Sequence, residues 1–297
     1  MNNRAQIRVL PDGRRVHMQD GPIDLIVEAF SSPAEVKRAY QAASERFLTV
    51  LDELCAELSF LRQPAREDSI LPNGSIACRM MRAVRPQATR HFITPMAAVA
   101  GAVAEEIMDA MTASATLTRA YVNDGGDIAL HLAPGEKFII GMVEGSDRPS
   151  LFGTNTITFD DLIRGIATSG WRGRSFSLGI ADAVTVLADT ASLADAAATT
   201  IANAVDLPES PKILRVAACD LAPDSDLGER HVTQAVSTLS CDEINIAIES
   251  GIYEAELLRA AGLIRAAAIH LQGETHIVGA PVSALYTQAA AGSLVHA

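Results

Sequence analysis

The stretch GIATSGWRGRSFSLGIADAVTVLADTASLADAAATTIANAV, Gly165 to Val205, decides how this chain is read. Its small residues Ala167-Thr168-Ser169-Gly170 predict a turn that exposes backbone atoms. AVTVLA (183–188) is β-branched and apolar and predicts a buried strand. The alanine-rich run that follows predicts a helix, with Ser192 as its expected N-cap. On that helix Asp195 and Thr199 stand four residues apart and share one face. A carboxylate, a hydroxyl and a backbone carbonyl are hard oxygen donors. Mg2+ takes few ligands from a protein and completes its octahedron with water and phosphate oxygens. A plainer reading stands beside this one: Asp195 merely complements the positive end of its own helix.

Upstream, AYVNDGGDIALHL predicts two strands flanking Asn123-Asp124-Gly125-Gly126-Asp127. Paired glycines permit positive φ and close backbone approach, so amides here can cradle an anion or simply make a hairpin turn. Thr168 and Ser169 could bond phosphate or hold their turn. Trp171 could stack on a flat ring, and Arg172 and Arg174 could neutralise phosphates. His91, His131 and His270 read as structural, and no Ser/His/Asp nucleophilic constellation is legible.

The rest of the chain mixes strands and helices. QIRVLPDGRRVHMQDG predicts strand, turn, strand, and Ser32-Pro33 predicts the start of a helix running to about Phe60. Residues 62–75 read as a loop, a candidate lid or an inert connection. Helices are predicted after Pro95, over 228–238 and over 242–262. Strands are predicted at KFIIGMVEG, KILRVAACD, IRAAAIHLQG and ETHIVG, and a short helix within 156–164. Recurrent hairpins favour an α+β fold over a doubly wound parallel sheet.

Composition narrows the function classes. The 297 residues carry a formal charge of −12 and only 4% aromatic residues, which argues against a nucleic-acid surface. The most apolar windows are broken by Asp182, Asp189 and Asp195, and by Arg259 and Arg265, so no membrane span is expected. No signal-peptide pattern opens the chain. The four cysteines lack any C-x-x-C pair, and reduced, mostly buried thiols in a cytoplasmic protein are expected.

YVNDGGDIALHL (121–132), ATSG (167–170), AVTVLA (183–188) and LADAAATTIANAV (193–205) occur in an order that resembles the FAD:protein FMN transferase (ApbE-type) superfamily. Within it, the likeness is to an uncharacterised cytoplasmic branch. The resemblance implies one composite α+β domain over 1–297, with its motif-bearing core at about 95–205. It implies Mg2+ held by the Ala167 carbonyl, Asp195 and Thr199. It also implies a flavin nucleotide, FAD or a related diphosphate, lying against Asn123, Gly125, Gly126, Asp127, Thr168, Ser169 and Gly170. The implied reaction expels AMP from FAD and esterifies FMN to a threonine or serine of an acceptor protein. Phe176 and Ser177 stand where the transferases carry a histidine, so no catalytic residue is assigned. A non-catalytic module binding another small anionic or heteroaromatic ligand is the alternative. A third reading is a homo-oligomer whose small residues serve packing.

Overall fold

The computed structural model describes residues 4–144 and 150–279. Asp12 accepts the N–H groups of Arg14 and Arg15 and so closes the turn between β1 (Gln6–Val9) and β2 (Val16–Asp20); β3 (Ile23–Phe30) follows. Ser32 accepts the Glu35 N–H and Pro33 takes the first position of α1 (Pro33–Ala56), as its sequence predicts. Next come α2 (Leu58–Leu61), α3 (Ser75–Val84), a 3-10 turn (Pro95–Ala98) and α4 (Val99–Ser114). β4 (Arg119–Asp124) and β5 (Asp127–Leu132) form the glycine-turned hairpin, followed by β6 (Lys137–Glu144), β7 (Ser150–Thr158) and β8 (Gly165–Ser169). The chain continues with β9 (Ala183–Ala188), α5 (Ala191–Ala204), β10 (Ile213–Ala217), α6 (Ala218–Leu221) and β11 (His231–Val236). It closes with α7 (Cys241–Ala260), β12 (Ala266–Leu271) and β13 (Glu274–Val278).

The fold is α+β. One nine-stranded sheet runs β1-β2-β3-β4-β5-β8-β9-β12-β13, with every neighbouring pair antiparallel. β6-β7 and β10-β11 are separate two-stranded ribbons. Phe47 of α1, Met80 of α3 and Ile107 of α4 close over Met18 and Leu25 of the sheet's first half. In the second half, Ala198 and Ile201 of α5 and Ile248 of α7 close over Val184, Val186 and Ile269. α4 and α5 meet where these two cores join. The contact is tight because Gly101 has no Cβ: one placed there would lie 2.3 Å from the Ala191 carbonyl oxygen.

Several expectations need correction. Ala167-Thr168-Ser169 belongs to strand β8, and the chain turns only from Gly170 onward. Residues 228–238 hold strand β11, not a helix; the β-branched residues of HVTQAV prefer a pleated, half-buried position. Thr190, not Ser192, N-caps α5. Cys55 and Cys241 are exposed and Cys78 and Cys219 half-buried, so the thiols are free but not mostly buried. Helix α3 and strand β7 lacked a clear signal: α3 has no side-chain cap to announce it. The 62–75 loop is tied down, since the Glu57 carboxylate accepts the N–H groups of Asn73 at 2.8 Å and Gly74 at 2.7 Å.

Gly101→Ala forces α4 away from α5 and is expected to cost about 2–3 kcal/mol, within the usual range for overpacking. A melting temperature unchanged from wild type would show that the two helices need no such close approach.

Candidate functional site

Asp195 lies at the α4–α5 seam, and its Oδ2 accepts the Gly101 N–H at 3.0 Å. Gly101 stands in the first turn of α4, where backbone N–H groups have no intrahelical partner. The favour is returned: Glu105 of α4 accepts the Ser192 N–H, in the first turn of α5, at 2.6 Å. Each helix therefore caps the other. Asp195 is held by α4, not by the end of its own helix.

The hairpin turn presents two more acids. Asp124 and Asp127 are register partners at the ends of β4 and β5. Between them Gly125 and Gly126 adopt φ of 64° and 117°, and Asn123 accepts the Gly126 N–H at 2.8 Å. Asn123 is thus engaged in the turn. Asp127 accepts the Thr168 N–H of β8 at 3.3 Å, which draws the hairpin to the former ATSG segment. Alternation along an antiparallel strand then directs the Ala167 N–H and C=O toward Val186 of β9, its register partner, while the Ala167 methyl is buried in the second core.

Burial, reinforced by Asp124, raises the Asp195 carboxyl to about 7, against the pull of the Gly101 and Ala100 N–H groups. Burial also raises Asp124 to about 7, and raises Asp127 well above its ordinary value with help from Asp195 and Asp124. None of the three makes a direct ion pair among the described residues. Arg174 is the cation nearest to balancing them: it draws Asp124 and Asp127 down, and its Nη2 lies 1.8 Å from where a Cβ on Gly125 would stand. No three His, Cys, Asp or Glu side chains among the described residues converge on one metal-sized point.

Thr199, one turn beyond Asp195, lines a cavity of about 190 Å³ with His91, Phe92, Ile93, Leu178, Thr200, Asn203 and Ala204. Its hydroxyl makes no hydrogen bond among the described residues, whereas Thr200 donates to the Ala196 carbonyl at 3.0 Å. Ser169 is half-buried at the end of β8. Gly170 is pressed against Asp182, whose carbonyl oxygen would lie 2.4 Å from an added Cβ. Asp182 also takes the Trp171 Nε1–H at 3.1 Å and the Arg172 Nε–H at 2.6 Å, so both side chains are fixed there. Arg172 stacks over the Trp171 ring. Asp124 was open to a sequence reading, since D-G-G-D places two carboxylates across a two-residue turn. Glu105 gave no such sign.

The family described as "AbpE bacteria" matches residues 7–277. A UPF0280 protein of Methanopyrus kandleri is 32% identical over 176 residues, 59% of this chain and 66% of that one. One of Methanosarcina acetivorans is 31% identical over 188 residues, 62% of this chain and 70% of that one. One of Methanococcoides burtonii is 43% identical over 117 residues but covers only 47% of its own length. The chain thus spans between about half and two thirds of the curated relatives it matches first. Among solved structures, the flavin transferase ApbE from Vibrio cholerae aligns over 92% of this chain and 97% of its own, with a TM-score of 0.48 and 12% identity. The Pseudomonas stutzeri flavinyl transferase ApbE, apo form, aligns over 92% and 94%, with a TM-score of 0.45 and 12% identity.

The raised carboxyls set a pH dependence. A buried acid with a folded pKa above its unfolded value near 4 holds its proton more tightly when folded, so its contribution to stability falls as pH rises from about 4 to about 7. Asp124→Asn should therefore stabilise the protein at pH 8 by about 1–3 kcal/mol, and the gain should fade as pH falls toward 4. Urea denaturation at both pH values checks this; a difference independent of pH contradicts the buried-acid account.

Proposed function

Since the chain belongs to the AbpE bacteria family, we propose that it is a Mg2+-dependent transferase or hydrolase acting on FAD or a related nucleotide diphosphate. The observation that carries this reading is the Thr199 hydroxyl. It makes no hydrogen bond among the described residues, its residue lines a cavity, and it lies one turn from the Asp195 carboxyl, which burial and nearby Asp124 raise. The donor set suits a hard cation. One carboxylate and one hydroxyl, with substrate phosphate oxygens and water, match the few protein ligands that Mg2+ takes.

Asp195 and Thr199 would hold the ion; the Ala167 carbonyl, directed toward Val186 of β9, is taken up by the sheet and is not offered as the third donor. When bound, magnesium supplies charge stabilisation to phosphate oxygens. The protein's own groups do the remaining work. The Gly125-Gly126 turn lets a ligand approach the backbone, and Arg174 beside it offers a guanidinium to phosphate. Thr168, whose N–H is taken by Asp127, and Ser169 would contact the same ligand. An acceptor protein bearing threonine or serine would receive the flavin-side phosphate, or water would in a hydrolase. Among the described residues no helix is long and apolar enough to cross a membrane. The four free thiols suit a reducing cytoplasm, which we include in the proposal.

A binding module without turnover is the second reading. The cavity's modest volume favours it, since 190 Å³ is below the roughly 300–1,000 Å³ of most small-molecule pockets.

Calorimetric titration of FAD, FMN and ADP, with and without Mg2+, tests the site. Asn at position 195 keeps an oxygen for the Gly101 N–H, so Asp195→Asn should leave the fold intact and weaken Mg2+-dependent binding at least about tenfold, or about 1.4 kcal/mol. Thr199→Val should do the same. Equal binding by all three proteins would remove the metal site. AMP release from FAD in the presence of Mg2+ separates the enzyme from the module.

A further inference from the structure

The segment that follows α3 carries His91 and Phe92 to the C-terminal half of α5, where Thr199, Asn203 and Ala204 line the same cavity of about 190 Å³. Leu178, in the connection between β8 and β9, lines it too. Size and charge restrict what it can take. A cavity of about 150 Å³ admits one benzene ring, whereas pockets for larger organic molecules hold roughly 300–1,000 Å³. One ring with a small substituent therefore fits here, and a nucleotide does not. No Lys, Arg, Asp or Glu is among the lining residues described. An ion entering would lose its water with no opposite charge to replace it. The occupant is uncharged.

The polar groups of the lining are few, and their own contacts orient them. The Leu178 N–H donates to Asn203 Oδ1 at 2.9 Å, and the Ser177 hydroxyl donates to it at 3.2 Å. A backbone N–H can only donate, so the atom it reaches is the amide oxygen and the other end of the carboxamide is the NH2 group. That group makes no hydrogen bond among the described residues, and neither does the Thr199 hydroxyl. His91 is steadied from behind. Its Nε2 stands 3.0 Å from Oε1 of Glu254, a side chain only 3% exposed, to which Arg90 donates at 2.9 Å. His91 Nδ1 has no hydrogen-bond partner among the described residues. Arg230 lies over the Phe92 ring and holds that wall. An amide NH2, a hydroxyl and a ring nitrogen, set among apolar Phe92, Leu178 and Ala204, form a small site whose polar groups are in place before a ligand arrives.

We propose that this cavity binds an uncharged single-ring heteroaromatic molecule bearing a carbonyl group. The Asn203 NH2 donates to the carbonyl oxygen. Thr199 and His91 meet polar atoms of the ring or its substituent, and Phe92 and Leu178 cover its faces. The inference rests on the second reading above, a binding module, and gives it a ligand class. It needs neither Mg2+ nor turnover.

Calorimetry and NMR on the full chain test this, with EDTA present so that no metal contributes. The probes are pyridine-3-carboxamide and uracil. At least one should bind saturably and shift the side-chain amide signal of Asn203, assigned through Asn203→Asp. Aspartate keeps an oxygen for the Leu178 N–H but lacks the two donors, so this variant should weaken the probe at least about tenfold. Ala204→Leu, which fills the cavity, should abolish binding. Toluene, without a carbonyl, and pyridine-3-carboxylate, which is charged, should each bind at least about tenfold more weakly than the better probe. Lumichrome, with three fused rings, should not displace it.

Toluene binding as tight as either probe, and lost in Ala204→Leu, overturns the ligand class and leaves a binding cavity standing. Displacement of the probe by lumichrome does the same, because the site then exceeds one ring. Probe binding that leaves the Asn203 signal still in the wild-type protein overturns the inference. Absence of saturable binding by both probes and toluene removes the inference and the module reading of this cavity together.

Discussion

Two helix N-termini meet inside this protein, and the exchange of carboxylates between them governs what surrounds them. The first N–H groups of a helix must find acceptors when they are buried. At the seam, Asp195 serves Gly101 of α4 and Glu105 serves Ser192 of α5. Each such cap is typically worth about 1 kcal/mol. Their larger effect is geometric. They hold α4 and α5 in register at a contact that only glycine at 101 permits. The placement of Asp195 therefore follows from the packing of two helices that belong to different halves of the core.

That placement has an electrostatic cost. Asp195 shares its surroundings with Asp124 and Asp127: burial raises all three, Asp124 adds to the rise of Asp127 and Asp195, and Asp24 adds to that of Asp124. Arg174 offsets this only in part, from an exposed position and without a direct ion pair. Elsewhere in the same molecule acids are paired in the ordinary way, as where Arg79 meets Glu105, Glu106 and Asp109. Asp124 is buried and Asp127 and Asp195 are half-buried, yet none of the three is neutralised in that way among the described residues. Uncompensated buried charge concentrates where a protein binds or transforms something.

Much of this was legible in the sequence, for identifiable reasons. Ser32-Pro33-x-Glu35 marked the start of α1 because capping is local chemistry. The D-G-G-D turn was legible because positive φ calls for particular residues. The placement of Asp195 and Thr199 one turn apart on α5 follows from helical spacing, which survives whatever surrounds it. What failed was non-local. The Ala167-Thr168-Ser169 stretch has the composition of a turn, yet pairing with β5 and β9 makes it a strand. In 228–238, pairing with β10 reinforces what the β-branched residues of HVTQAV already favour.

The cap at Gly101 does not by itself account for an acid at position 195. Capping requires only an acceptor oxygen, and serine, threonine or asparagine provides one without bringing an ionisable group into low dielectric. An aspartate among aspartates is the least economical choice for that task alone. It becomes the natural choice if its second oxygen has work that needs charge. The free hydroxyl of Thr199 makes the same point independently. A threonine in mid-helix commonly satisfies its hydroxyl on the carbonyl one turn back, as Thr200 does. Thr199 forgoes that bond and faces the cavity. Two neighbours on one helix face thus each depart from what packing alone would ask.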